Sequence, residues 1–272
     1  NYRYEESKPV DIHAQHWAEY EKHGKEPARG PEKIGIALRI GVFFDGTGNN
    51  ANNSAAGLLC GAQHPIAPED IPPSCQPYMR DPDSSYGSGA TNIKKLADLY
   101  YEAPIADGEG PIKQVSRPLY IEGIGTQSNE KDSIVGQGTG RGETGVAGRV
   151  QTSFTFIKQV VEDAIQENPN SEIASLTFDT FGFSRGAAAA RHFCNEIVRG
   201  KQGPLRDLLS TYAHNFSRTF LDQYGSSIRM GFIGLFDTVP SIAGFTNFGR
   251  VHSPIAPAIK LYLDPRFFND VV

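Results

Sequence analysis

The residues best suited to chemistry lie in TFGFSRGAAAAR, where Ser184 stands between Gly182 and Gly186. A serine at the centre of G-x-S-x-G, between a strand and a helix, is the nucleophile elbow of many hydrolases. This turn is so tight that the residues two before and two after the serine must lack bulk, and the hydroxyl is exposed above the sheet. The pattern predicts Ser184 as an acyl-transfer nucleophile. The alternative is a tight strand–helix turn with a capping serine.

An oxyanion formed in that reaction needs N–H donors, and two segments are placed to supply them. The helix after the serine aims its first N–H groups and a partial positive charge at this space, with one backbone N–H from Arg185. The second donor in such folds comes from the loop after an early strand. GVFFDGTGNN fits that loop, with Gly46, Thr47 or Gly48 as the donor. An Asx turn at Asp45 is the alternative for this stretch.

The serine also needs a histidine as base and a carboxylate that orients it. Chain order in these folds is serine, then acid, then histidine. Asp237 follows the apolar run MGFIGLF and opens the loop DTVPS, the expected place for the acid, although it could instead cap that turn. Asp179 and Asp222 are weaker candidates, the first because it lies within the nucleophile strand itself.

The histidine is harder to assign. Of the seven histidines, only His252 follows Asp237. The segment between them reads as loop, whereas another helix and strand usually separate acid from base. His252 is therefore a weak candidate, and His192 and His214 have the wrong order and lie in predicted helices.

Strand and helix patterns alternate along the chain and must position these residues. Strands are predicted in IGIALRIGVFF, RPLYIEGIG, IASLTFDTFGFS and IRMGFIGLFDTV. Helices are predicted in TNIKKLADLYYEA with Thr91 or Asn92 as cap, in VQTSFTFIKQVVEDAIQEN, from Arg185 to about Val198, and in PLRDLLSTYAHNFSRTFLDQY. This alternation implies an α/β fold with a mostly parallel central sheet and helices on both faces. We expect a peripheral segment at 1–33 and an α/β-hydrolase-like domain at 34–272, with an irregular insertion at about 51–90.

Composition excludes several functions. A net charge of −5 gives no electrostatic reason to expect nucleic-acid binding. No apolar run reaches the roughly 20 residues of a membrane span, and the first residues lack the apolar core of a secretory signal. No cysteine spacing fits a zinc site, and we expect neither metal nor cofactor. The cysteines fit either free thiols or a Cys60–Cys75 bridge, which would need an oxidising compartment.

The glycine-rich loop GQGTGRGETG lacks the Gly-Lys-Ser/Thr ending of a phosphate-binding loop. We interpret it as a flexible rim of the active site, where Arg141 and Arg149 could meet phosphate groups of a substrate.

Five ordered motifs together resemble one family: GVFFDGTGNN, TNIKKLADLYYE, YIEGIGT, GFSRGAAAAR and GLFDTVPSIAG. They resemble the first class of type VI secretion lipase effectors, from about residue 36 to the end. The resemblance implies an α/β-hydrolase fold with Ser184 as nucleophile and Asp237 as acid. It also implies phospholipase action on the membrane of a rival bacterium, after synthesis in the cytoplasm and injection into the rival's periplasm. A secretion spike protein and an immunity protein are the implied partners.

The chain departs from the family at its end. In family members the stretch resembling KLYLDPRFFNDVV runs into the catalytic histidine, so we expect the base just beyond Val272 and a domain truncated at its C-terminus. Two alternatives stay open: a soluble carboxylesterase on the same scaffold, and a non-catalytic binding module that kept the fold.

Overall fold

The computed structural model describes residues 33–100, 112–133, 143–239, 259–264 and 268. In these residues one sheet of parallel strands has the order β2-β1-β3-β4. The strands are β1 (Ile34–Phe44), β2 (Ile112–Ile121), β3 (Ser171–Phe183) and β4 (Ile228–Phe236). The α/β class and all four predicted strands are confirmed, although β2 begins earlier than its pattern indicated. Because the strands are parallel, their carboxyl ends meet at one edge of the sheet.

The helices pack on both faces of this sheet. They are α1 (Ala51–Cys60), α2 (Asn92–Leu99), α3 (Val146–Glu167), α4 (Arg185–Ile197), α5 (Leu205–Thr211), α6 (Arg218–Asp222) and α7 (Tyr224–Ser227). One face carries α3 and α4 over the larger hydrophobic cluster, and the other carries α2 over a smaller cluster. None of the helices in the described ranges is long and apolar enough to cross a membrane.

Strand β1 shows why the sheet is covered on both faces. Its successive side chains Phe43 and Phe44 belong to the two different clusters, because side chains alternate along a strand. Phe44 packs near Phe193 of α4, with ring centroids 5.6 Å apart, and Phe43 packs with Ile93 of α2. A central parallel strand buried on both faces is expected to be apolar along its whole length.

The four alanines from Ala187 to Ala190 are all fully buried in α4. The helix contacts β3 and β1 on one side and α3 on another, and its residues also bind the extended segment at 259–264. A helix enclosed in this way needs small side chains to approach its neighbours. The close packing predicted for this alanine run is confirmed.

Two stretches differ from the predictions. The insertion at 51–90 contains α1, capped by the Asn50 side chain, and it is closed by a Cys60–Cys75 disulfide, while Cys194 is a buried free thiol. The long helix predicted after Pro204 is instead broken into α5, α6 and α7. The break occurs because Phe216 bridges to Ile173 at the start of β3 and because the Ser217 hydroxyl caps α6.

The predicted segment 1–33 lies outside the described residues except for Lys33. The boundary of the domain therefore stays a prediction.

Candidate active site

Ser184 lies at the sharp bend between β3 and α4. Its backbone has φ 57° and ψ −126°, a conformation that costs free energy for any residue with a side chain. The Ser184 N–H donates to the carbonyl of Phe236 (2.9 Å), and the Ser184 carbonyl accepts from the Val239 N–H (3.1 Å). The bend is thus held by β4 and by the loop after it, while Ser184 stays only half-buried. Such stored strain is most often found at active sites.

The glycines on either side of the serine are required by close packing. A Cβ on Gly182 would lie 2.6 Å from the Gly186 carbonyl oxygen and 2.7 Å from the Cα of Ala187. A Cβ on Gly186 would lie 2.5 Å from the carbonyl oxygen of Phe44 and nearer still to that of Asp45. The predicted need for small residues here is confirmed, and Gly186 lets the start of α4 lie against the end of β1.

The first turn of α4 offers hydrogen-bond donors beside Ser184. The N–H of Ala187 donates to the Ser184 carbonyl (3.1 Å), whereas the N–H groups of Arg185 and Gly186 have no acceptor among the described residues. Unpaired N–H groups at a helix N-terminus attract an anion. The Arg185 N–H therefore has the place expected of an oxyanion donor.

Asp45 organises the loop that follows β1. Its buried carboxylate accepts hydrogen bonds from the Gly46 N–H (2.7 Å), the Thr91 hydroxyl (2.8 Å) and the Tyr120 hydroxyl (2.6 Å). Burial raises the pKa of the Asp45 carboxyl, and the hydrogen bonds oppose that rise. Thr91 is the N-cap of α2 and Tyr120 lies in β2, so one carboxylate joins three elements at the carboxyl edge of the sheet. An Asx turn alone would not account for these contacts.

This network was not predicted from the sequence, but a signal for it exists. Tyr120 pairs in register with Phe43, so the polar residues at the ends of β1 and β2 must meet at one edge. Knowing which strands are neighbours would have been enough to link Asp45 to Tyr120.

The loop donors are not equally available. The Gly46 N–H is already bound to Asp45, and the Gly48 N–H donates to the carbonyl of Ile124 (3.0 Å). In the described part of the chain the Thr47 N–H has no acceptor. Of the loop residues predicted as oxyanion donors, Thr47 is therefore better placed than Gly46 or Gly48.

The same loop lies directly against the nucleophile bend. A Cβ on Gly46 would lie 2.6 Å from the ring of Phe183, the residue before Ser184. The loop and the bend are therefore closely packed against each other.

Asp237 directly follows β4, at the same edge of the sheet as Ser184. Phe183 and Phe236 are register partners on neighbouring strands, so Ser184 and Asp237 follow paired positions. Asp237 has φ 46°, a left-handed conformation that an aspartate tolerates better than most residues. Its side chain is exposed and makes no hydrogen bond with any described residue, so within those residues it does not cap the turn that follows.

The two weaker acids are engaged in structural contacts. Asp179 is buried in the middle of β3, where it accepts two hydrogen bonds from Arg39 (2.6 and 2.8 Å) and one from the Tyr100 hydroxyl (2.7 Å). Asp222 forms an exposed ion pair with Arg218 within α6 (3.6 Å). Neither carboxylate lies at the carboxyl edge beside Ser184.

His192 and His214 do not complete a triad with Ser184. His192 is buried in α4, where its Nδ1 accepts a bond from the Lys260 N–H (3.4 Å), and burial lowers its pKa. His214 lies just before Phe216, which bridges to the start of β3, at the opposite end of that strand from Ser184. His252 lies outside the described residues, and the base expected beyond Val272 stays a prediction.

One predicted rim residue has a different role. Arg149 is buried, donates to the carbonyls of Gly123 (3.0 Å) and Thr126, and pairs with Glu122 (3.6 Å). Desolvation lowers the pKa of its guanidinium. The expectation that Arg149 meets lipid phosphates is therefore wrong, because this side chain holds the loop after β2. Arg141 lies outside the described residues.

A cavity of about 640 Å³ opens between α2 and the carboxyl ends of β3 and β4. Its lining combines polar residues near the nucleophile with apolar residues of α2 and of the strand ends. The lining residues are Asn49, Thr91, Asn92, Ile93, Lys95, Leu96, Leu99, Phe183, Phe236 and Asp237. The volume is typical of small-molecule sites, which span about 300–1,000 Å³. The motif TNIKKLADLYYE predicted the helix but gave Lys95, Leu96 and Leu99 no place in the site, because only the folded sheet brings α2 to this edge.

Similarity to known proteins was found among solved structures. The chain is 30% identical to the Tle1 effector in its structure bound to the VgrG spike from the Type 6 secretion system, with a TM-score of 0.57. This match covers 92% of the present chain and 47% of Tle1, so the chain spans about half the length of that effector. A second match, an uncharacterized protein from Pseudomonas aeruginosa, has 18% identity and a TM-score of 0.34, covering 76% of this chain and 30% of that one. No family model and no curated protein matches the chain.

The resemblance to type VI secretion lipase effectors is confirmed by the match to Tle1, and the α/β fold is similar to that of Tle1.

Proposed function

We propose that this chain is the catalytic part of a serine-dependent phospholipase that acts as an antibacterial type VI secretion effector. The observation that carries the proposal is the strained Ser184 beside an open helix N-terminus, with Asp237 at the paired position of the next strand. A structural turn explains the two glycines but gives no reason for a strained serine at their centre.

The geometry supports a specific role for each residue of the site. Ser184 Oγ attacks the acyl carbonyl, and a histidine from outside the described residues takes its proton while Asp237 orients that histidine. The N–H groups of Arg185 and Thr47 receive the negative charge that develops on the carbonyl oxygen. Loss of one such donor typically costs about 2.7–4 kcal/mol of transition-state stabilisation.

The choice of a phospholipid over a soluble ester rests on the cavity. Lys95 is the cation of its lining, and the Lys95 ammonium has no ion-pair partner among the described residues. A lipid phosphate would supply that partner beside an apolar wall. A soluble carboxylesterase is the alternative, because an exposed helix can also present a lysine to water without binding a phosphate.

The match to Tle1 supports a proposal about the partners and the destination. Tle1 was solved on the VgrG spike, and we propose that the present protein is also carried by a spike protein and neutralised in its producer by an immunity protein. The Cys60–Cys75 disulfide suits delivery into an oxidising periplasm.

The first test is the release of fatty acid from phospholipid vesicles by the full-length protein. We expect Ser184→Ala to lower the rate by at least about 10⁴-fold, as loss of a serine nucleophile does elsewhere. Labelling by a fluorophosphonate probe should disappear in the same variant. Undiminished hydrolysis by Ser184→Ala would remove this serine from the mechanism, and an unlabelled but folded full-length protein would favour a binding module.

The second test separates phospholipid from soluble ester. Lys95→Gln should lower kcat/KM for phosphatidylglycerol vesicles by up to about fivefold, because an exposed ion pair contributes about 0.2–1 kcal/mol. Hydrolysis of a neutral soluble ester should not change. Lys94→Gln is the matched control, because Lys94 pairs with Asp98 on the same helix and does not line the cavity. Equal effects of the two variants would argue for the soluble esterase.

A further inference from the structure

A stripe of α2 faces the cavity beside the nucleophile. Asn92, Lys95, Leu96 and Leu99 all line it, and their spacing of i, i+3, i+4 and i+7 places them along one side of the helix. Ile93 and Ala97 pack against Phe43 of the sheet, and Leu96 packs partly against the same cluster. Ile93 and Leu96 therefore both attach the helix to the sheet and line the cavity, whereas Asn92, Lys95 and Leu99 belong to the cavity wall alone.

The stripe has a direction, polar at one end and apolar at the other. The N-terminal end of α2 is fixed near the oxyanion loop, because Thr91 donates to Asp45 (2.8 Å). The C-terminal end is fixed lower on the sheet, because Tyr100 donates to Asp179 in the middle of β3 (2.7 Å). Leu99 is thus the lining residue of α2 farthest from the loop, about 10 Å along the helix axis from Asn92.

The apolar part of the cavity is unusually open to solvent. Leu99 is 80% exposed, and Phe183 and Phe236 are also exposed large hydrophobic residues. A contiguous apolar surface that includes several such side chains usually marks a binding site. Here the surface reaches the residue next to the nucleophile, since Phe183 lines the cavity and precedes Ser184.

We propose that this cavity is the acyl-chain site of the enzyme, with the ester carbonyl at the polar end near Asn49 and Thr91 and the chain lying along α2 towards Leu99. The inference rests on the proposed hydrolase function and adds a chain-length determinant to it. Each methylene buried along the stripe contributes about fourfold to affinity, so binding should strengthen with chain length until the chain passes Leu99.

The test measures binding rather than turnover, so that it does not depend on the catalytic proposal. The full-length Ser184→Ala protein is titrated with 11-(dansylamino)undecanoic acid, and octanoate, dodecanoate and hexadecanoate are then used as competitors. We expect dodecanoate to bind at least about tenfold more tightly than octanoate. Hexadecanoate should bind with nearly the same affinity as dodecanoate, because its last methylenes lie beyond Leu99.

In the Ser184→Ala protein, the further change Leu99→Asp should weaken the binding of dodecanoate by about tenfold or more. It should weaken the binding of octanoate much less, because the charge meets only the distal part of the chain. Leu99→Met should restore binding. Leu59→Asp is the matched control, since Leu59 is a 68% exposed leucine on α1 that does not line the cavity. Leu99 is so exposed that its replacement should not prevent folding.

The outcomes distinguish this inference from the proposed function. Absence of chain-length dependence, or equal effects of Leu99→Asp and Leu59→Asp, would overturn the acyl-chain site even if Ser184 proves essential for hydrolysis. Conversely, chain-length-dependent binding that is sensitive to Leu99 would support the site even if Ser184→Ala keeps its hydrolytic activity.

Discussion

Replacing Gly186 by alanine sets two physical effects against each other. Gly186 is the second residue of α4, and on helix propensity alone alanine should stabilise the protein by up to about 1 kcal/mol. The added Cβ would lie 2.5 Å from the carbonyl oxygen of Phe44, however, where ordinary contacts begin at 3.4 Å. The three nearest atoms all belong to the backbone of Phe44 and Asp45 at the end of β1, so no side chain can rotate away. The helix must therefore shift by about 1 Å.

We expect the steric effect to win. Overpacking of a closely packed core typically costs about 1–3 kcal/mol, which exceeds the gain in propensity. The consequence for activity should be larger, because a misplacement of about 1 Å can cost about 10²-fold in rate. The shift would separate the Arg185 N–H from the Thr47 N–H, which must bind the same oxyanion. Gly186→Ala should thus lower kcat/KM by about 10²-fold and lower the free energy of unfolding by about 1–2 kcal/mol.

Urea unfolding and ester hydrolysis by the full-length protein check these values. Gly89→Ala is the control, since a Cβ there would meet no atom within 4 Å, and it should change stability by less than about 0.5 kcal/mol. If Gly186→Ala were as stable and as active as the parent, the close approach of α4 to β1 would not be what positions the oxyanion donors.

Two further predictions concern stability. Burial lowers the pKa of His192 from its ordinary value of 6.5, so as pH falls below about 6.5 the unfolded chain takes up a proton before the folded one does. The free energy of unfolding should then fall by at most about 1.4 kcal/mol per pH unit. Urea titrations at pH 5.5 and 7.5 should show a smaller difference in this free energy for His192→Gln than for the parent, whereas the exposed His214→Gln should keep the parent's difference. The Cys60–Cys75 disulfide joins residues with a separation of 15, and a loop of that size contributes about 3 kcal/mol in the chain-entropy account. Cys60→Ser with Cys75→Ser should lower the free energy of unfolding by up to that amount, and dithiothreitol should have the same effect on the parent and none on the variant.

The fold was predictable from the sequence because the apolar runs in the chain coincide with the strands of the sheet. The apolar runs of β1 and β3 are long, and each ends in a turn that only small residues can form. The elbow was predictable for the same reason, since Gly182 and Gly186 have steric causes within a few residues of Ser184. Helix α1 was not predictable, because its sequence lacks an apolar pattern with helical spacing. ANNSAAGLLC exposes Leu58 and Leu59 and buries polar residues instead.

The parts that were not predictable depend on contacts between distant segments. Asp45 meets Thr91 and Tyr120 only because β2 is the neighbour of β1 and because α2 begins at the same edge. Arg149 looked exposed because the loop before it is glycine-rich, yet its guanidinium is enclosed by carbonyls from the loop after β2. Neither contact can be predicted from the spacing of residues along the chain.

The two faces of the sheet determine from which side a substrate reaches Ser184. On the face of α4, the buried alanine run and the contact of Gly186 with the end of β1 leave no room even for an added methyl group. On the face of α2, the residue before the nucleophile, Phe183, borders an open cavity together with Asp237. In the proposed mechanism the oxyanion of a tetrahedral intermediate at Ser184 meets the N–H groups of Arg185 and Thr47, and the acyl chain leaves on the open side, along α2. The close packing of one face and the open cavity on the other are then two parts of one arrangement, in which backbone N–H groups bind the charge and side chains of α2 meet the variable part of the substrate.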